Sequence, residues 1–250
     1  MLVAAAVCPC PPLLVPEVAA GAAPELDAAR TACADALGVL AASRPDLLVV
    51  VGPAGQDGRG IYPQGAAGSF KGLGVDLAVR LGTAAPERTR QSAGEGAPGS
   101  ATERELPQSL AVGSWLLART ERFDVPVEGL GVGEPLAGDR RAETGRELAG
   151  RADRVALLVM GDGTACRTVK APGYLDERAA GFDAEVARAL GAADTAALMA
   201  LDEQLAYELK VAGLGPWQVL AGAAEGAGLA GQLLYEDAPY GVGYFVAVWS

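Results

Sequence analysis

The chain has 250 residues, half of them apolar, with 20 Lys plus Arg against 31 Asp plus Glu and a formal net charge of −11. That apolar content excludes an intrinsically disordered chain, and the acidic balance gives no basic footprint for nucleic acid. Histidine is absent, which excludes an imidazole base, proton shuttle or metal ligand.

Residues 2–7 are a short apolar run without alternation, as in a strand covered on both faces. Pro9, Pro11 and Pro12 end it and send the chain into an extended loop. Residues 24–42 read as a helix. Pro24 suits the first turn, Glu25 and Asp27 favour the positive end of the dipole, and Leu26, Cys33, Leu37 and Leu40 form one stripe. A buried strand follows at 47–51, so the opening is a βαβ unit of a parallel sheet. Residues 52–74 are rich in glycine and read as a long loop. Residues 75–81 read as a strand, and 84–101 are polar and rich in Gly and Pro.

Residues 107–119 read as a helix with Leu106, Leu110, Trp115 and Leu117 as apolar anchors. Residues 125–130 are strand-like, with Pro126 arguing for an edge or a strand start. Residues 139–148 read as a short charged helix on the surface, 155–160 as a third buried strand, and 182–190 as an amphipathic helix. Asp194 is placed to cap a helix carrying Leu198, Leu201, Leu205 and Leu209. Residues 216–224 make a last helix with Trp217 and Leu220 inward. Two strands, 227–234 and 243–249, close the chain around a bend at 235–241. No repeat or linker intervenes. The expected fold is a single α/β domain over residues 1–250, with a mostly parallel or mixed central sheet flanked by helices.

Four cysteines, Cys8, Cys10, Cys33 and Cys166, are too few for a disulfide scaffold in a chain this long and imply reduced thiols. The apolar start is too short for a signal peptide and lacks a basic leader. No window reaches the roughly 18 unbroken apolar residues of a membrane span. The expectation is a cytoplasmic protein without membrane or nucleic-acid partners. A small-molecule ligand, a partner subunit or a homodimer is compatible with this composition, and Trp249 at the terminus reads as an exposed residue available to a dimer.

In an open α/β sheet, sites lie beyond the carboxyl ends of the strands. The segments leaving such ends carry Cys8, Cys10, Asp162, Thr164, Cys166, Arg167 and Glu236. As residue types these allow three readings. Cys10, Cys166 and Glu236 are candidate ligands for Zn²⁺. Cys166 beside Arg167, with Asp162, is a candidate catalytic pair built on a thiolate. The third reading is ordinary packed residues without chemistry. Gly161-Asp162-Gly163 is not a phosphate loop, because no Gly-Lys-Ser/Thr follows. The Gly-X-Ser-X-Gly elbow is also absent.

Cys10-Pro11-Pro12-Leu13-Leu14-Val15-Pro16-Glu17 resembles the opening motif of the class III extradiol ring-cleavage dioxygenase superfamily, which includes the Memo-like proteins and commonly reads His-Pro-Pro-Leu-Leu-Ile-Pro-Glu. Tyr235-Glu236-Asp237-Ala238-Pro239-Tyr240-Gly241-Val242-Gly243-Tyr244 resembles the closing Glu-X-X-Pro-Phe/Tyr-Gly-X-Gly-Tyr. Between them, Gly161-Asp162-Gly163-Thr164-Ala165 and the later Phe182-Asp183 are similar to a Gly-Asp-Leu-Ser-His segment and its downstream Phe-Asp. The order of the three segments is the family's. The resemblance implies an α/β fold whose active members hold Fe(II) on two histidines and a glutamate and cleave a catecholic ring with dioxygen. It places the first ligand at Cys10, the second after Pro53 at Ala54, the acid–base histidine at Ala165, and the glutamate at Glu236. The implied cleft positions are Cys10, Pro53, Ala54, Asp162, Thr164, Ala165, Glu236 and Tyr240. Of the three ligands only Glu236 survives, so the expectation is a catalytically degenerate relative with no cofactor. The alternatives are altered thiolate- or metal-dependent chemistry, or a ring-cleavage enzyme completed by a partner.

Overall fold

A computed structural model describes residues 1–82, 104–120, 123–133 and 137–250. The polar stretch read at 84–101 therefore lies outside the described residues. The strands are β1 (Leu2–Cys8), β2 (Leu47–Pro53), β3 (Gly60–Tyr62), β4 (Ala67–Ser69), β5 (Ala78–Arg80), β6 (Val127–Val132), β7 (Val155–Met160), β8 (Gly231–Asp237) and β9 (Tyr244–Trp249). The helices are α1 (Pro16–Ala19), α2 (Asp27–Ala42), α3 (Gln108–Ala118), α4 (Gly138–Ala149), α5 (Ala179–Gly191), α6 (Thr195–Met199), α7 (Glu203–Glu208) and α8 (Leu214–Ala223).

Seven strands form one mixed sheet in the order β3-β6-β2-β7-β1-β9-β8. β6, β2, β7 and β1 are mutually parallel, whereas β3, β9 and β8 each run antiparallel to the strand they join. Burial of the parallel strands on both faces explains their unbroken apolar runs, such as Val155-Ala156-Leu157-Leu158-Val159-Met160. One core packs α2 and α3 on the face that includes Cys8, Val50 and Val246. The other packs α5 and α8 on the face that includes Val7, Val49 and Phe245. Among the described residues no helix is long and apolar enough to cross a membrane.

Several expectations are corrected by this architecture. The helix expected from Pro24 begins at Asp27, because Pro24 sits inside a 3₁₀ segment, Ala20–Leu26. Residues 52–74 are not a plain loop: they contain β3 and also β4, which pairs with β5 in a separate two-stranded sheet. Pro126 does precede a strand, but β6 is not an edge, since β3 covers it. The leucine series from 198 to 209 is split into α6 and α7, each capped by an aspartate: Asp194 accepts from the Ala197 N–H and Asp202 from the Leu205 N–H.

Two corrections bear on function. Helix α4 is not superficial. Arg141, Ala142, Gly145 and Leu148 are buried, and a Cβ on Gly145 or Gly222 would stand 2.0 or 2.1 Å from a carbonyl oxygen of the facing helix. Glycine at both positions lets α4 and α8 touch backbone to backbone. Trp249 is fully buried and its indole N–H donates to the Leu190 carbonyl at 2.7 Å, so it offers no surface to a second copy.

Candidate functional site: the carboxyl rim of the sheet

Because β8 runs parallel to β1, the ends of β2, β7, β1 and β8 bring Ala54, Asp162, Cys10 and Glu236 to one rim. Cys10 and Asp162 touch through a hydrogen bond, whereas Glu236 stands apart from them. A register shift between Leu233 and Tyr235 interrupts the alternation of β8. Beyond it Glu236 pairs with Phe245, while Asp237 pairs with Tyr244. Directly opposed residues share a face, so Glu236 lies on the Phe245 face, exposed to solvent. Cys10 belongs to the other core, with Cys8 and Cys33.

Cys166 is likewise misplaced for a shared site. It packs on the Phe245 face, and its thiol donates to the Leu209 carbonyl at 3.5 Å. Burial pushes both the Cys10 and the Cys166 thiols above their ordinary range, with Asp162 adding to the effect on Cys10 and Asp176 to that on Cys166. The direction of both shifts favours the protonated thiol over the thiolate. No group of three His, Cys, Asp or Glu among the described residues converges as a metal site. The proposed ligand set Cys10, Cys166 and Glu236 is therefore not assembled. The Fe(II) implied by the resemblance does not fit either: Ala54 offers no donor atom, and Cys10 and Glu236 belong to opposite faces.

Thr164 and Ala165 are scaffold. Buried Asp183 accepts from the Thr164 N–H, the Thr164 hydroxyl and Arg167 Nη1, each at 2.9 Å. This knot ties the loop after β7 to α5. The same loop exchanges backbone hydrogen bonds with residues 241–243, through Gly163 N–H to Gly243 O and Gly243 N–H to Thr164 O. Ala165 is held by Leu209 and Gly173 through its own backbone groups. Tyr240 is half-buried beside Glu25, and burial, then that carboxylate, raises its phenol pKa.

Asp162 does occupy a junction. Its side chain accepts the Cys10 N–H at 2.8 Å, and its carbonyl accepts the N–H groups of Ala212 and Gly213 at 3.1 and 2.8 Å. It thus links the end of β1 to the start of α8. Burial pushes its carboxyl up to about 7, against the lowering effect of the Cys10 N–H. A carboxyl that titrates near neutrality at a strand end is the best acid–base candidate on this rim. Its neighbour Tyr244 is buried, and its phenol is raised by burial first and by Asp162 second.

An open cleft lies next to this junction. It lies past the ends of the neighbouring strands β2 and β6, beside the start of α8. Its volume is about 270 Å³, and Pro53, Ala54, Gly133, Arg141, Leu214 and Gly215 are among its walls. Of the rim positions implied by resemblance, only Pro53 and Ala54 reach it. Sequence reasoning misses Arg141 because α4 looks charged and superficial. The sign of its burial is the spacing of Arg141, Ala142, Gly145 and Leu148, which puts an arginine on the inward stripe.

No family model and no curated protein matches this chain. Among solved structures it is similar to an uncharacterized protein, JW3007, from Escherichia coli K12, at a TM-score of 0.56 and 17% identity over 99% of each chain. That likeness spans the whole α/β domain and defines the fold class.

Proposed function

We propose that this chain is a histidine-free relative of the class III extradiol dioxygenases that binds a small molecule at the carboxyl rim of its sheet and does not cleave catecholic rings. The carrying observation is the pairing of an open cleft at the strand ends with a rim whose would-be ligands are dispersed. Ala54 lacks a donor, and Cys10 and Glu236 face opposite sides. Ring cleavage on Fe(II) needs two or three protein ligands on one face of the ion and a base for the phenolic proton. The rim supplies neither an assembled ligand set nor an imidazole, whereas the cleft beside Ala54 remains large enough for a small ligand.

Metal analysis of chain purified without chelator, combined with oxygen-electrode traces on catechol, tests this reading. The expected result is no stoichiometric iron and no oxygen uptake above the protein-free rate, before or after incubation with Fe(II). About one iron per chain together with catechol-dependent oxygen uptake would overturn it.

A further inference from the structure

We infer that the cleft between β2, β6 and α8 is an oxyanion site, which takes the carboxylate or phosphate group of a small ligand on Arg141. The inference rests on the reading of this cleft as a binding site and names the chemical class of its ligand.

Arg141 is only 5% exposed. Arginine is rarely withdrawn from water to this degree unless its donors are paired. Here the pairing is one-sided. Nη1 donates to Gln218 Oε1 at 2.7 Å and lies 3.3 Å from Glu203 Oε1. Nε and Nη2 have no acceptor among the described residues. Those two nitrogens form one edge of the guanidinium fork, the edge that receives two oxygens of a carboxylate or phosphate side by side. Gln218 is neutral and Glu203 is half-exposed at the far nitrogen, so the free edge keeps its positive character.

The start of α8 adds donors to the same cleft. Leu214 and Gly215 line it, and their N–H groups have no acceptor among the described residues. The first N–H groups of a helix point outward along its axis and carry the positive end of its dipole. Gly215 keeps this wall thin: a Cβ there would stand 3.1 Å from Val132 Cγ1 and 3.8 Å from Arg141 Nε. Guanidinium and helix end are thus adjacent. The close contact of α4 and α8 at Gly145 and Gly222 holds them so. The neighbouring walls, Pro53, Ala54 and Val132, are apolar, which suits a ligand with one anionic group and a small apolar body.

The test uses the full chain labelled with ¹⁵N, titrated separately with inorganic phosphate, acetate and neutral catechol at low salt, about 20 mM, where screening is weak. Phosphate or acetate is expected to shift the Leu214 and Gly215 amide resonances saturably. Arg141→Gln is expected to weaken that binding roughly tenfold or more. Arg141→Lys, which keeps the charge and loses the fork, is expected to fall between. A stronger response to acetate assigns a carboxylate ligand, and a stronger response to phosphate assigns a phosphorylated one. The wild-type readout does not depend on the variants folding. If neither anion moves these amides, or if Arg141→Gln binds them as wild type does, the inference is overturned. Catechol then separates the two readings. Shifts at Gly55 and Gly133 with catechol alone leave the cleft a binding site for neutral ligands, and no shift with any probe removes both readings.

Discussion

Arg167 and Arg141 both stand near the carboxyl ends of the sheet, and the protein treats them differently. Arg167 keeps 29% of its side chain in water and gives Nη1 to Asp183, whose carboxylate is fully buried and accepts three hydrogen bonds. Everything dry in that knot is paired, and everything unpaired is wet. Arg141 is withdrawn much further, yet it pairs only Nη1 and leaves the other edge of its fork open at the cleft. A satisfied buried network holds a fold together, whereas unpaired donors at the wall of an open cleft are placed to take an acceptor. The difference separates scaffold from site without reference to any relative.

The strongest way to break the comparison is Asp183→Ala. It removes three hydrogen bonds at once and leaves Thr164 donors buried without an acceptor. Urea unfolding is expected to show a loss of about 3–5 kcal/mol. Anion binding at Arg141 should survive in whatever fraction stays folded. Next comes Gly222→Ala, whose methyl would meet the Ala142 backbone. The helices must part, at about 2–3 kcal/mol, and because α4 carries Arg141, phosphate affinity should fall with stability.

Arg141→Met sharpens the contrast from the other side. Replacing the guanidinium by an apolar chain of similar length leaves Gln218 Oε1 buried without its donor, so a loss of about 1–3 kcal/mol is expected, smaller than that of Asp183→Ala. Anion binding, followed by the amide titration, should disappear. A loss as large as that of Asp183→Ala, with anion binding retained in the folded fraction, would make Arg141 a strut like Asp183.

The last comparison concerns pH. The Asp162 carboxyl is raised from its ordinary 3.8 to about 7 by burial. Below about pH 4 both folded and unfolded chains hold this proton. As pH rises toward 7 the unfolded chain releases it while the folded chain keeps it, so this group makes stability fall across that interval and level off above it. Urea midpoints compared at about pH 5 and pH 8 should show the decline in wild type and a reduced decline in Asp162→Asn. Equal slopes in the two proteins would show that Asp162 ionises as freely as an exposed carboxyl.

Strand ends, and hence the rim, are legible from the apolar runs at 2–7, 47–51 and 155–160, and all three are central strands. The Asp194 cap and the inward faces of Trp217 and Leu220 are legible for the same local reason. Glu236 is not, because a single irregularity after Leu233 reverses which face the following residues take, and nothing in Gln232-Leu233-Leu234-Tyr235 announces it. Trp249 reads as exposed because it lies one residue from the end, although its indole is anchored on α5. The Arg141 stripe is present in the spacing of α4 but is outweighed by Asp139, Arg140, Glu143 and Arg146 around it.

Taken alone, the amino-acid sequence determined the α/β class, the parallel core strands and the exclusion of imidazole chemistry, because hydrophobic period and residue inventory are local properties of the chain. Tertiary structure alone decided which polar groups meet. The knot on Asp183, the junction at Asp162 and the half-spent Arg141 each depend on partners at least 16 residues away in the chain. A side chain's period records that it is buried; only the crossing of two elements, such as glycine against glycine between α4 and α8, settles what it is buried against.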